Sequence, residues 1–299
     1  MSNYLLKTGA SSIILGKGHY GNYLPVKKGK LLKIYCDKDT NFEIQNSTKI
    51  RSIENYHKYF IIPDEFGRSL IRTDIFYHKV KELLIKKKLE TDILNNRLYC
   101  SYVDYGGDKD LHNILNEMSL NSNVSYWKSY DRILKFIKHI MLGLKYLHQN
   151  KIAHLDIKPE NIMINTYLNQ YKIIDFGYSS EEPFDYFIKN VRGTPGYFPI
   201  NYPEEETTDW LPQIKANDLK IIDGVIPFVK DYKLIYKIDS FCLGRVLYFL
   251  KYQYDLYKEY KCKNSEKNKG IKIDRLINDL LIEDSFKRIT ISDCFIKYF

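Results

Sequence analysis

His154-Leu155-Asp156-Ile157-Lys158-Pro159-Glu160-Asn161 sets two carboxylates, a lysine and an amide within eight residues. Asp156 and Asn161 stand five positions apart, with Lys158 between them. The stretch directly follows the clearest helix of the chain, from about Tyr130 to Gln149. There Ile133, Phe136, Ile137, Ile140, Met141, Leu144 and Leu147 recur at the three- and four-residue steps of one helical face. Ser129 is a suitable N-cap, since its hydroxyl can accept from an orphan amide of the first turn. On the other side, Lys172 to Ile174 reads as a short buried strand, and Asp175-Phe176-Gly177 comes straight after it.

Further out, the first third of the chain is β-rich. Ser12 to Leu15 is a short strand-like run that ends in Gly16-Lys17-Gly18-His19-Tyr20-Gly21. A glycine triplet at this spacing lets backbone amides approach phosphate oxygens without side-chain interference. A dinucleotide-binding fold would need a helix directly after it. Here strand and turn follow instead: Tyr23 to Val26 and Leu31 to Tyr35 flank a turn at Lys27-Lys28-Gly29-Lys30. Lys33 lies inside the second of these apolar runs. A lysine there is costly to bury unless paired. It is either an edge-strand lysine pointing to water or the partner of a phosphate and a carboxylate. Residues 41–55 carry Phe42, Ile44, Ile50 and Ile53 at loosely helical spacing. Leu98 to Tyr105 is a further strand, punctuated by Gly106-Gly107. Beyond the centre, Phe241 to Leu250 reads as a buried helix, Leu276 to Ile282 as another, and Lys261 to Gly270 as an exposed basic loop. Strands first and helices after suggest an α+β arrangement of two lobes.

The bulk numbers bound the remaining classes. The chain has 299 residues, 44% of them apolar and 28% charged, which suits one two-lobed globular domain. It holds no apolar run long enough to span a bilayer, and Met1 to Leu6 lacks the features of a secretory signal. Cys36, Cys100, Cys242, Cys262 and Cys294 are scattered, so they read as reduced thiols rather than a disulfide framework or a metal site. The net charge of +9 favours anionic partners in general. The lysines are spread along the chain rather than gathered, which argues against a dedicated nucleic-acid role.

The glycine loop, the strand lysine, the loop at 154–161 and Asp175-Phe176-Gly177 come in the order found in eukaryotic-type protein kinases, and the chain resembles that family over roughly residues 10–299. Gly193-Thr194-Pro195-Gly196-Tyr197 is similar to the end of an activation segment. Asp239-Ser240-Phe241-Cys242-Leu243-Gly244 resembles the start of the buried central helix, and Lys287-Arg288-Ile289-Thr290 the last motif. The resemblance implies a two-lobed fold, with an N-lobe at 1–106, a hinge near 103–107 and a C-lobe at 107–299. It also implies a substrate protein, ATP and Mg²⁺. Gly16, Gly18 and Gly21 would cover the phosphates, Lys33 would hold two of them, and Leu15 and Lys17 would be further ATP contacts. Val103, Asp104 and Tyr105 would form the adenine hinge. Asn161 and Asp175 would offer hard oxygen ligands to Mg²⁺. Asp156 would accept the hydroxyl proton and Lys158 would meet the γ-phosphate, a pattern of the serine/threonine branch. Thr194 would brace the loop. Glu43, or alternatively Glu54, would pair with Lys33.

Three departures bear on regulation and specificity. Leu155 stands where many kinases have an arginine that reads an activation-loop phosphate, so activity is expected not to depend on that modification. Glu181-Glu182 reads as fixed negative charge or a plain solvated pair. The usual Ala-Pro-Glu is not intact, and Glu204 is the candidate partner of Arg288. A long gap from Tyr197 to Asp239 implies an insertion at about 200–235, facing substrate. Loss of Lys33, Asp156, Asn161 or Asp175 would mark a non-catalytic binding module, and all four are present. A small-molecule kinase would lack the Lys-Pro-Glu-Asn and Gly-Thr-Pro-Gly-Tyr patterns. The compact core, Leu155 and a composition rich in Lys, Ile, Asn and Tyr resemble kinases of large cytoplasmic DNA viruses. That implies action in the host cytoplasm, or packaging in a virion.

Overall fold

The computed structural model describes residues 21–27, 30–35, 40–63, 68–71, 97–120, 126–127, 129–180, 194, 196–199, 233–258 and 267–299. They fall into two compact units. One takes the described residues within Met1–His57, Ile61–Gly106 and Asp175–Gly177; the other takes those within Lys58–Phe60, Gly107–Ile174 and Tyr178–Phe299.

In the first unit, β1 (Gly21–Lys27), β2 (Lys30–Tyr35), β3 (Arg68–Ile71) and β4 (Arg97–Asp104) form an antiparallel sheet in the order β1-β2-β4-β3. β1 lies at the sheet's edge, where a proline costs no ladder bond, and its register shifts between Pro25 and Lys27. Lys33 sits on β2 between Tyr23 of β1 and Ser101 of β4. α1 (Thr40–Arg51) has Glu43 in its first turn and Lys49 and Arg51 in its last, which suits the helix dipole at both ends. It stops at Arg51, short of the end that the apolar spacing of 41–55 predicts: Ser52 N and Ile53 N bond only three residues back, to the Lys49 and Ile50 carbonyls, and Asn55 turns to φ 58. Ile53, past the helix, is still buried.

The second unit is mostly helical. α2 (Leu111–Leu120) follows the two-residue strand β5 (Lys109–Asp110), which pairs with β6 (Ile162–Asn165) and through it with β7 (Gln170–Ile173). α3 (Tyr130–Gln149) buries the whole apolar face read from the sequence, and Ser129 Oγ accepts from Arg132 N at its start. Trp127, Phe136 and Tyr171 close the core at one side, with ring centroids 5.2 and 5.1 Å apart across Phe136. α4 (Lys233–Lys258) extends well beyond the apolar stretch 241–250 on both sides, so Lys233–Ile235 of the expected insertion are helical. α5 (Lys267–Leu280) corrects two expectations. Lys267–Gly270 are its first turn rather than loop, with Gly270 packed against the Tyr130 ring, and it ends at Leu280 instead of Ile282. α6 (Ile291–Tyr298) is capped by Thr290. The Ser12 to Leu15 run, the turn residues Lys28 and Gly29, Cys36, Cys262 and residues 200–232 lie outside the described residues.

Gly107 shows why glycine follows β4. A Cβ there would lie 2.4 Å from the Ile164 carbonyl oxygen, a backbone atom that cannot swing aside. Gly107→Ala should therefore cost about 1–3 kcal/mol of stability, read as a lower midpoint in urea unfolding. No helix among the described residues is long and apolar enough to cross a membrane. Cys242 and Cys294 are buried free thiols; burial pushes Cys294 up to about 12 and Cys242 well above its usual value.

Candidate active site

Between α3 and β6 the chain runs through Ile152–Lys158 without regular structure, and the sequence makes it irregular. Leu155 has φ 66, a left-handed backbone that a non-glycine residue holds only when its surroundings insist. Asp239, in α4 and wholly buried, supplies that insistence. Its Oδ1 accepts from Leu155 N at 2.7 Å, and its Oδ2 accepts from His154 N at 2.8 Å. His148 Nε2 also lies 2.8 Å from Oδ2, tying the end of α3 to the same carboxylate. His154 then holds the next residue: its Nδ1 accepts from Asp156 N at 3.2 Å, while Nε2 donates to the Ile174 carbonyl at 3.1 Å.

This frame fixes Asp156, which is 4% exposed. Thr194 Oγ1 donates to Asp156 Oδ1 at 2.5 Å. Lys158 Nζ lies 2.9 Å from Asp156 Oδ2 and 2.8 Å from Thr194 Oγ1. Asn161 Nδ2 donates to Asp156 Oδ2 at 2.9 Å and to its carbonyl at 2.8 Å. Pro159–Asn161 form a single tight turn with proline at its start, which sets Asn161 back under Asp156. The carboxylate is thus aimed by three donors, each from a residue named by the sequence. Such an oriented carboxylate can accept a proton from a hydroxyl, and the adjacent ammonium can neutralise an anionic group beside it.

The other named residues fall as follows. Glu43 is buried in α1, at 4% exposure, whereas Glu54 is exposed beyond the helix and accepts from the neighbouring Asn55 side chain. Asn46 of α1 donates to the Phe176 carbonyl at 3.0 Å, joining the helix to the Asp175-Phe176-Gly177 segment of the same unit. Asp175 has φ 65, a second strained backbone at a position the sequence picks out. Lys33 and Gly21 are placed by their strands, and Leu15, Gly16, Lys17 and Gly18 lie outside the described residues. Val103 is buried near the end of β4, its backbone bridged to Pro63, and Asp104 and Tyr105 are exposed. Arg288 donates to the carbonyls of Ile282, Lys237 and Glu283 and lies over the Phe241 ring. Burial lowers its pKa to about 9, still well above neutrality, so it remains a cation. Glu204, its expected partner, lies outside the described residues. No group of three metal-binding side chains occurs among the described residues. A hard cation bound through one or two side chains and phosphate oxygens needs no such group, and the amide oxygen of Asn161 and the carboxylate of Asp175 are donors of that kind.

The sequence did not disclose Asp239 as the clamp of this loop, nor Arg245, whose Nε donates to the Gly196 carbonyl at 2.8 Å. An acidic residue and an arginine inside an otherwise apolar run were the available signals.

A four-stranded antiparallel sheet with a helix, a helical unit, and an aspartate held by lysine, threonine and asparagine on an irregular loop define an α+β protein kinase fold. The model of the protein kinase domain matches residues 12–204, and the chain belongs to that family. Death-associated protein kinase 2 of Mus musculus and that of Homo sapiens are each 32% identical to it over 171 residues, covering 55% of this chain and 42% of theirs. Serine/threonine-protein kinase dkf-1 of Caenorhabditis elegans is 42% identical over 87 residues, 28% of this chain and 12% of that protein. The matches thus span less than half the length of these relatives.

Proposed function

We propose that the chain is an active serine/threonine protein kinase that transfers the γ-phosphate of ATP to protein hydroxyls and does not need activation-loop phosphorylation. The observation that carries the first part is the Asp156 carboxylate, oriented at once by Thr194, Lys158 and Asn161. The serine/threonine assignment is supported by the Lys158-Pro159-Glu160-Asn161 sequence and by the similarity to serine/threonine-protein kinase dkf-1.

In this mechanism Asp156 receives the acceptor hydroxyl, orients its oxygen and takes its proton as the bond to phosphorus forms. Lys158 offsets negative charge on the transferring group. Thr194 and Asn161 keep the carboxylate from rotating, so the hydroxyl meets a fixed acceptor. Lys33 and the glycines at 16, 18 and 21 would bind phosphates. Asn161 and Asp175 would hold Mg²⁺, whose charge would neutralise the phosphate oxygens.

The independence from phosphorylation rests on Leu155. It is fully buried and apolar, so it presents no charge to a phosphate. Phosphatase treatment of the purified protein should leave activity within about twofold, since a lost charge-assisted bond would cost roughly tenfold or more. A larger loss would refute that part. The composition, the compact core and Leu155 support the further reading of a virus-encoded enzyme acting in the host cytoplasm.

The test of the main reading is transfer from radiolabelled ATP with Mg²⁺ to a mixed protein substrate, followed by phosphoamino-acid analysis. Labelled phosphoserine or phosphothreonine is expected. ATP binding without any transfer would shift the reading to a non-catalytic binding module of the same fold.

A further inference from the structure

Two buried arginines of the helical unit are treated very differently by their surroundings. Arg288 and Arg245 are each 1% exposed. Arg288 has three carbonyl acceptors. Arg245, on α4, has the Gly196 carbonyl for Nε, while its buried Nη1 has no hydrogen-bond partner among the described residues. No described carboxylate pairs with it. Its neighbours are rings: Phe249 at 5.0 Å and Tyr248 at 6.0 Å from the guanidinium carbon. Burial lowers its pKa, which says that the site disfavours the charge it holds. A buried guanidinium short of acceptors is costly, and an anion supplied from outside would relieve that cost.

The place of Arg245 says where such an anion would come from. Gly196 belongs to a tight turn in which Tyr197 N and Phe198 N both donate to the Thr194 carbonyl, at 3.1 and 3.2 Å. The turn needs its glycine, since Gly196 has φ 82. Thr194, which starts the turn, touches the Asp156 carboxylate through its hydroxyl. One short segment therefore meets the proton acceptor at one end and Arg245 a residue or two later. Extended peptide advances about 3.3–3.6 Å per residue. A side chain one to three residues from a hydroxyl held at Asp156 thus has the reach to meet the guanidinium. Tyr248, over it, is 40% exposed and stacks on Tyr252, also exposed. A ligand would reach the cation only if the Tyr248 ring turned aside.

We propose that Arg245 is a specificity-determining residue that pairs with an anionic side chain, a carboxylate or a phosphate, lying one to three residues from the acceptor hydroxyl of the substrate. The proposal rests on the kinase reading above. It is tested with serine peptides that carry Asp, phosphoserine or Ala at each position from three before to three after the acceptor. Wild type should favour an anionic peptide over the neutral one by about 10- to 100-fold in kcat/KM, mostly through KM, as expected for a charge-assisted bond. Arg245→Met should bring that ratio close to one, and Arg245→Lys, which keeps charge but loses the fork, should fall between. The larger of the Asp and phosphoserine ratios names the anion. The same peptides with the acceptor serine replaced by alanine, read by fluorescence anisotropy, report the discrimination without turnover. Acid-selective binding with no transfer to any peptide would sink the kinase reading and leave this one standing. Transfer with no anion preference in wild type, or a ratio unchanged in Arg245→Met, would overturn the specificity assignment. Arg245→Met should melt at or above the wild-type temperature, because it removes an incompletely paired buried charge. A marked fall in its melting temperature would assign Arg245 a structural role and refute the proposal.

Discussion

Asp156→Asn is expected to lower kcat by about 10²- to 10⁴-fold, the usual worth of a positioned general base, with the fold intact. The hydrogen bonds explain why the two effects separate. Asp156 Oδ2 accepts from Lys158 and Asn161, whereas Oδ1 accepts from the Thr194 hydroxyl. An asparagine can keep its oxygen on the Lys158 and Asn161 side. Its amide nitrogen then faces Thr194 Oγ1, an oxygen that can accept as well as donate. Lys158 and Asn161 keep their acceptor; only the part-buried Thr194 hydroxyl must find another, and stability should fall by about 0.5–1.5 kcal/mol. What is lost is the capacity to take a proton. Radiolabel transfer beside a urea melt checks both halves. Wild-type turnover by pure Asp156→Asn would overturn the assignment of Asp156. Asp156→Ala is the poorer probe, because it would strand Lys158, only 9% exposed, without its carboxylate.

Features set by neighbours in sequence were legible before the fold was known, and those set by distant contacts were not. α3 was legible because seven apolar residues keep one helical phase across it, above a serine cap. Asp156, Lys158 and Asn161 were legible because they crowd into eight residues, so proximity in sequence is proximity in space. Thr194 is different: it joins Asp156 from 38 residues away, and only the family resemblance named it. α2 went unread because it follows a two-residue strand, with too few turns to establish a period. α6, at eight residues, hid for the same reason. The first turn of α5 looked like loop because exposed lysines dominate it, and the burial of Gly270 against Tyr130 is a tertiary fact. Glu43 and Glu54 could not be ranked by spacing alone. The backbone break after Arg51, where Ser52 N and Ile53 N bond three residues back, leaves Glu54 outside the helix and exposed, while Glu43 lies inside it and is buried.

Asp239→Asn should behave in the opposite way to Asp156→Asn, although the chemical change is identical. Each oxygen of Asp239 faces a backbone N–H, a donor that cannot become an acceptor. Oδ1 meets Leu155 N–H at 2.7 Å, and Oδ2 meets His154 N–H at 2.8 Å as well as His148 Nε2. Either orientation of an asparagine sets an amide N–H against a backbone N–H in a site with no exposure. One buried backbone donor is left unsatisfied and the His148 contact is weakened or lost, at a cost of about 2–4 kcal/mol. Leu155 loses part of what holds it at φ 66, and strain of about 1–3 kcal/mol there favours release of the backbone to an ordinary conformation. Asp156 is the next residue and should move with it. The expected result is a melting temperature lower by about 4–12 °C, together with a kcat reduced by at least tenfold at a temperature where the variant is still folded. A far-ultraviolet melt and the transfer assay at low temperature read the two effects separately. If Asp239→Asn melts like the wild type, the clamp is not what fixes the loop. If it melts low but turns over normally when folded, the clamp serves stability alone and the aim of Asp156 comes from Thr194, Lys158 and Asn161.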